Sequence, residues 1–160
     1  ELVSDLSTVS RTISRKLYPS DLPEFGLADA FSSLVGKMER ERNLEVDLYS
    51  EIEPDDRFPA LIERTAYWIV QEALINVARH DETDGAQVIV NNRKKQLYLH
   101  VFDERATFSS SAPNTEKRFR FEAIQRRVEW LDGEVRIDTI PAEGTRFSVI
   151  LPVRLPFPEK

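Results

Sequence analysis

The stretch 58–80 constrains this chain more than any other. Ile62, Ala66, Ile69, Val70, Ala73, Leu74 and Val77 recur at helical spacing and form a wide apolar face. A face that broad has to be sheltered by a sheet or by several other helices. The sequence around it supplies a sheet. Leu44, Val46 and Leu48 alternate with Glu45, Asp47 and Tyr49, the signature of a half-buried strand. Residues 87–91 and 96–102 read as two strands joined by the polar turn 92–95. Residues 134–140 and 145–151 read as a final hairpin around 141–144. Two further helices complete the domain. One spans 27–43, with Leu27, Ala30, Phe31, Leu34 and Met38 on one face. The other spans 119–131, with Phe121, Ile124, Val128 and Leu131. Between the second strand pair and that helix, 103–117 has no periodicity and reads as a loop. This order predicts an α+β fold, a two-layer α/β sandwich with a mixed sheet and helices on one face.

At 160 residues the chain fits one domain with a short appendage. The appendage is the N-terminal stripe Leu2, Leu6, Val9, Ile13 and Leu17, closed by Pro19 and Pro23. It suits either a helix packed on its own domain or one strand of a dimeric bundle. The tail 154–160 is proline-rich and expected to run extended. A chain opening on Glu1 reads as a piece of a longer protein. It has no cysteine, which removes disulfides, thiol nucleophiles and cysteine metal sites. His80 and His100 are too few for most metal constellations. His100 alternates onto the strand face of Tyr98 and Phe102 and reads as a packed or hydrogen-bonded histidine. A net charge of −6 argues against a nucleic-acid partner. No apolar run approaches the ~18 residues of a membrane span.

The long helix carries a second pattern. At about 100° per residue, Glu72, Asn76, Arg79 and His80 fall within one quadrant that borders the apolar face. A carboxylate and an amide one turn apart suit an oxygen-ligated cation such as magnesium. The carboxylate can also accept a proton or orient a water. Arg79 and His80, a turn further on, suit phosphate oxygens. Spacing alone fits a solvated helix edge held by intrahelical pairs better than a binding site.

The stretch 71–80, reading QEALINVARH, resembles the asparagine box of the GHKL ATPases, and most closely that of sensor histidine kinases of the NarX/DesK-like class. The flanking text is similar as well: Leu17-Tyr18-Pro19 and the run 25–31 before it, Val101-Phe102-Asp103 where a first glycine box begins, and 126–135 with 143–147 as the closing segment. The resemblance covers residues 1 to about 153. It implies a Bergerat-type ATP-binding fold over 19–153, with 1–18 as part of a dimerisation helix and linker. It implies Glu72 as general base or water organiser, Asn76 as magnesium ligand, and Arg79 and His80 near phosphate. It further implies Asp103 on the adenine amino group, and Thr145, after Gly144, on adenine through water. ATP and magnesium would be the cofactors and a response regulator the partner. The chain would form a homodimer through its N-terminal helix and act in the cytoplasm, without nucleic acid or membrane contact by this fragment. A serine-kinase anti-sigma factor of the same fold suits the N-terminal helix less well.

Glycine marks the departure. Only five glycines serve the chain. The resembled boxes would carry glycine at 105, 107, 120 and 123, where this sequence has Arg105, Thr107, Arg120 and Ala123. Glycine there lets backbone N–H groups approach phosphates without a Cβ in the way. The arginines either fill the pocket or replace N–H groups with charge. Two functions stay open: a divergent histidine kinase catalytic domain, and a non-catalytic pseudokinase scaffold that dimerises and docks a partner.

Overall fold

The computed structural model describes residues 22–79, 85–103, 115–140 and 143–156. The N-terminal stripe, His80, Arg105 and Thr107 lie outside the described residues, as do the side chain of Arg120 and the end of the tail. The elements in order are α1 (Leu22–Arg42), β1 (Val46–Ser50), α2 (Ala60–Ala78), β2 (Ala86–Arg93), β3 (Gln96–Asp103), α3 (Thr115–Trp130), β4 (Glu134–Ile140) and β5 (Gly144–Pro152). One mixed sheet runs β1-β2-β3-β5-β4. β1 lies parallel to β2, and the other neighbours are antiparallel. This is the two-layer α+β arrangement that the element order implied.

The expected apolar positions of α2 make the core. Ile62, Ala66, Ile69, Val70, Leu74 and Val77 are buried and meet Val88, Val90, Leu97, Leu99, Val101, Val149 and Leu151 from the sheet. Leu27, Ala30, Phe31, Leu34 and Met38 close one side from α1, and Ile124, Val128 and Leu131 the other from α3 and its end. Alternation along β3 separates buried 97, 99, 101 and 103 from half-buried 98, 100 and 102. All three helices therefore cover one face.

Several boundaries differ from expectation. α1 begins at Leu22 rather than 27, because Gly26 joins two helical stretches through a non-helical backbone with φ 82° and ψ −177°. Only glycine adopts that region readily, and the apolar spacing reports only the second stretch. A Cβ on Gly26 would lie 3.2 Å from Arg57 Cδ. α3 begins at Thr115, earlier than the expected 119. Residues 115–118, TEKR, contribute no apolar period, although Glu, Lys and Arg are good helix formers. Ala123 thus sits inside a helix, where no glycine is needed. In the β2–β3 hairpin the positive φ angles fall on Lys94 and Lys95 (51° and 63°), as a two-residue turn requires. The tail is tied down at its start: Val153 N–H donates to Lys95 O at 3.1 Å, and Leu155 packs on the core.

The start of α2 depends on a carboxylate. Pro59 caps the helix without a side-chain bond. Glu63, 2% exposed, accepts the Phe58 N–H at 3.1 Å and the Arg57 guanidinium at 3.0 and 3.1 Å. This pairing raises the Arg57 pKa. Removing the cation leaves a buried charge that water cannot solvate. The Arg93–Glu51 pair, by contrast, is exposed on both sides and worth little. Arg57→Ala is therefore expected to lower the urea midpoint clearly more than Arg93→Ala, and equal effects would refute the role given to Glu63. At the end of α3, Asp132 (φ 57°) and Gly133 form a helix stop with Gly133 N–H on Val128 O at 2.8 Å. A Cβ on Gly133 would meet Ile150 O at 2.5 Å. Gly133→Ala should cost about 1–3 kcal/mol in chemical denaturation, and a neutral result would contradict that close approach.

Candidate functional site

Backbone topology brings Glu72, Asn76, Arg79, Asp103, Gly144 and Thr145 toward one end of the sheet. β1, α2 and β2 form a crossover between adjacent parallel strands, so α2 runs back antiparallel to them. Its C-terminal half, with Glu72, Asn76 and Arg79, lies toward the end where β2 begins at Ala86. There the register pairs Ala86 with Asp103, and Asp103 with Thr145. Asp103 and Thr145 are both buried, at 5% and 9% exposure, on the helix-facing side. Direct cross-strand neighbours hold their Cβ atoms about 5 Å apart. Oδ2 of Asp103 is buried with no hydrogen-bond partner among the described residues, while the residue as a whole is engaged in other interactions. Gly144, which opens β5, is buried with φ 110°, a conformation that disfavours any side chain there.

On α2, Trp68, Glu72 and Asn76 follow one another at four-residue spacing and line one flank. Arg127 of α3 lies 5.1 Å from the centre of the Trp68 ring, so this flank turns toward α3. Glu72 and Asn76 are half-buried there, at the core's edge, with about 6 Å of helix rise between them. Arg79 is exposed at the helix end, where its N–H reaches Asn76 O and Val77 O. His80 lies outside the described residues. The arrangement sets two oxygen donors on a helix flank and a buried carboxylate–hydroxyl pair on the sheet, both at one end of the molecule. Oxygen donors of this kind suit a hard cation, and a buried carboxylate suits an N–H donor.

Sequence reasoning passed over two features of this flank. One is the Trp68–Arg127 contact, for which the position of Trp68 one turn before Glu72 was the available signal. The other is Thr65, seven residues before Glu72, which is 1% exposed with Oγ1 buried and without a hydrogen bond among the described residues. Only a helical wheel that included threonine would have found it.

No protein-family model matches the chain. Its fold is similar to that of the Erythrobacter litoralis EL346 blue-light activated histidine kinase, with a TM-score of 0.68 at 17% identity. That match covers 94% of this chain and 50% of the other. The histidine kinase domain from the same protein matches with a TM-score of 0.55 at 17% identity, over 76% of this chain and 57% of that one. The chain thus spans about half the length of the solved structures it resembles, and the likeness is one of fold.

His100 stands apart, on the outer face of the sheet. Its Nδ1 lies 2.9 Å from Ser148 Oγ, so it is a hydrogen-bonded strand histidine. Burial pushes its pKa below the ordinary 6.5, and the nearby Arg146 adds to the effect. A histidine depressed in the folded state binds fewer protons there than in the unfolded chain. Its contribution to stability is full above the unfolded pKa and is lost as pH falls through that value toward the folded one. His100→Gln should therefore flatten the loss of stability between about pH 7 and pH 5.5, followed by urea midpoints. An unchanged pH slope would contradict this.

Proposed function

We propose that this chain is the ATP-binding and catalytic domain of a two-component sensor histidine kinase of the GHKL type, with its nearest likeness in the NarX/DesK-like class. The observation that carries this reading is the buried Asp103–Thr145 pair across β3 and β5, at the end of the sheet to which α2 brings Glu72 and Asn76. An adenine amino group is matched by a carboxylate acceptor, and the neighbouring hydroxyl suits a water-mediated contact. The donor set of Glu72 and Asn76 is all oxygen, which suits magnesium. Asn76 would hold the metal, and Glu72 would take the proton of the attacking group or orient it. Arg79 and His80 would offset phosphate charge. Magnesium, when bound, neutralises the phosphates and keeps the transferring group in line.

In this reading the acceptor is a histidine of a dimeric helical bundle to which 1–18 contributes, and the phosphoryl group passes on to a response regulator in the cytoplasm. Among the described residues no helix is long and apolar enough to cross a membrane.

A second reading has its own support. Arg105 and Thr107 occupy two positions where the resembled family uses glycine to approach phosphate. A pseudokinase scaffold would retain the fold and dock a partner without turnover. Calorimetric titration of magnesium-ATP separates the two. The kinase reading expects saturable binding that Asn76→Ala weakens about tenfold or more in the presence of magnesium. It expects Asp103→Asn to weaken ATP more than a nucleotide without the exocyclic amino group. Absence of heat and of thermal stabilisation at about millimolar nucleotide would overturn it in favour of the scaffold.

A further inference from the structure

The outer face of the sheet carries a cluster that the nucleotide reading does not use. On two neighbouring rungs of β3 and β5, Phe102 faces Arg146 and His100 faces Ser148. β4 adds Arg136 directly across from Ser148. Arg146, His100 and Arg136 thus share this face on adjoining strands. The Arg146 guanidinium lies 4.4 Å from the centre of the Phe102 ring. This stacking holds a planar donor fork in place, and no carboxylate pairs with it among the described residues. Nδ1 of His100 meets the Ser148 hydroxyl at 2.9 Å, which leaves Nε2 as the ring's second polar atom. Arg136 is already paired with Glu134. The other charged groups on this face are Asp138, across from Arg146 on β4, Asp47 on β1, beyond Gln87 of β2, and Arg93 at the far end of β2, paired with Glu51. None of the three helices covers this face.

We propose that Arg146 and His100, the latter held by Ser148, form a binding site for a small tetrahedral oxyanion, a phosphate or phosphate monoester, on the face of the sheet opposite Asp103 and Thr145. A guanidinium fork held by Phe102 and an imidazole held by Ser148 approach from two strands, and a doubly charged tetrahedral anion has an oxygen for each. Asp138, across from the fork, opposes an anion there, so binding depends on the added charge of a protonated His100. Burial and, second to it, Arg146 lower the pKa of the imidazole. A bound anion reverses that balance, so binding takes up a proton and strengthens as pH falls. The proposal does not depend on the nucleotide reading, because its residues lie on the other face.

The test follows the His100 ring signals of the whole chain by NMR, with the two histidines distinguished by His80→Gln. Sulfate, whose charge is constant here, is titrated against chloride at matched ionic strength. A saturable His100 shift is expected, tighter at about pH 6 than at about pH 8. Arg146→Gln should weaken it about tenfold, while Arg93→Gln should leave it unchanged. Inorganic phosphate against a phosphoserine peptide then distinguishes a free anion from a monoester, and acetate should bind more weakly than either. A shift that chloride reproduces, which is the behaviour of an adventitious ion only, would overturn the proposal. So would binding that survives Arg146→Gln in a variant with unchanged circular dichroism.

Discussion

The burial of α2 across the sheet is the constraint on which the rest depends. Each of its fully buried Ile, Leu or Val side chains contributes about 1.5–3 kcal/mol, whereas an exposed pair such as Arg93–Glu51 contributes about 1 kcal/mol at most. Apolar packing therefore fixes how α2 is rotated about its axis. With Ile69, Val70, Leu74 and Val77 turned to the sheet, Trp68, Glu72 and Asn76 have to line the flank toward α3. The crossover between parallel β1 and β2 fixes the direction of α2 in turn. A polar stripe that spacing alone left as a helix edge thus acquires a definite position, beside the ends of β3 and β5.

Strand register supplies the other half. A shift of one residue along β3 or β5 would exchange Asp103 with Phe102, or Thr145 with Arg146, between the two faces of the sheet. The continuous ladder from Gln96 opposite Pro152 to Asp103 opposite Thr145, with Leu97, Leu99, Val149 and Leu151 buried along it, prevents that. The same two strands therefore present a buried carboxylate and hydroxyl to the helices and a stacked arginine and hydrogen-bonded histidine to the other side.

Most of the fold was legible because it rests on periodicity. The apolar positions of α2, the alternation in β1, β2 and β3, and the last hairpin all follow from burial on one face. What escaped lacks an apolar period. The first stretch of α1 hides behind the non-helical Gly26, and the start of α3 is all polar. Helical spacing does not mark Glu63, because its partners, Arg57 and the Phe58 N–H, lie outside the helix. Among the candidate site residues, helical spacing placed Glu72 and Asn76 on one helix edge, whereas Asp103 and Thr145 rested on resemblance. Their adjacency is a long-range register that spacing along the chain does not reveal.

Glycine scarcity changes meaning against this framework. Positions 120 and 123 both lie inside α3, where glycine is a poor helix former, which leaves 105 and 107 as the departures that bear on the proposed phosphate binding. The central claim is that the helix-facing end of the sheet takes a magnesium nucleotide. Amide chemical-shift mapping with a non-hydrolysable magnesium-ATP analogue tests it most directly. The account predicts saturable changes in the C-terminal half of α2 and at Ala86, Asp103, Gly144 and Thr145. Changes confined to the opposite face around His100 and Arg146, or none at saturating nucleotide, would contradict it.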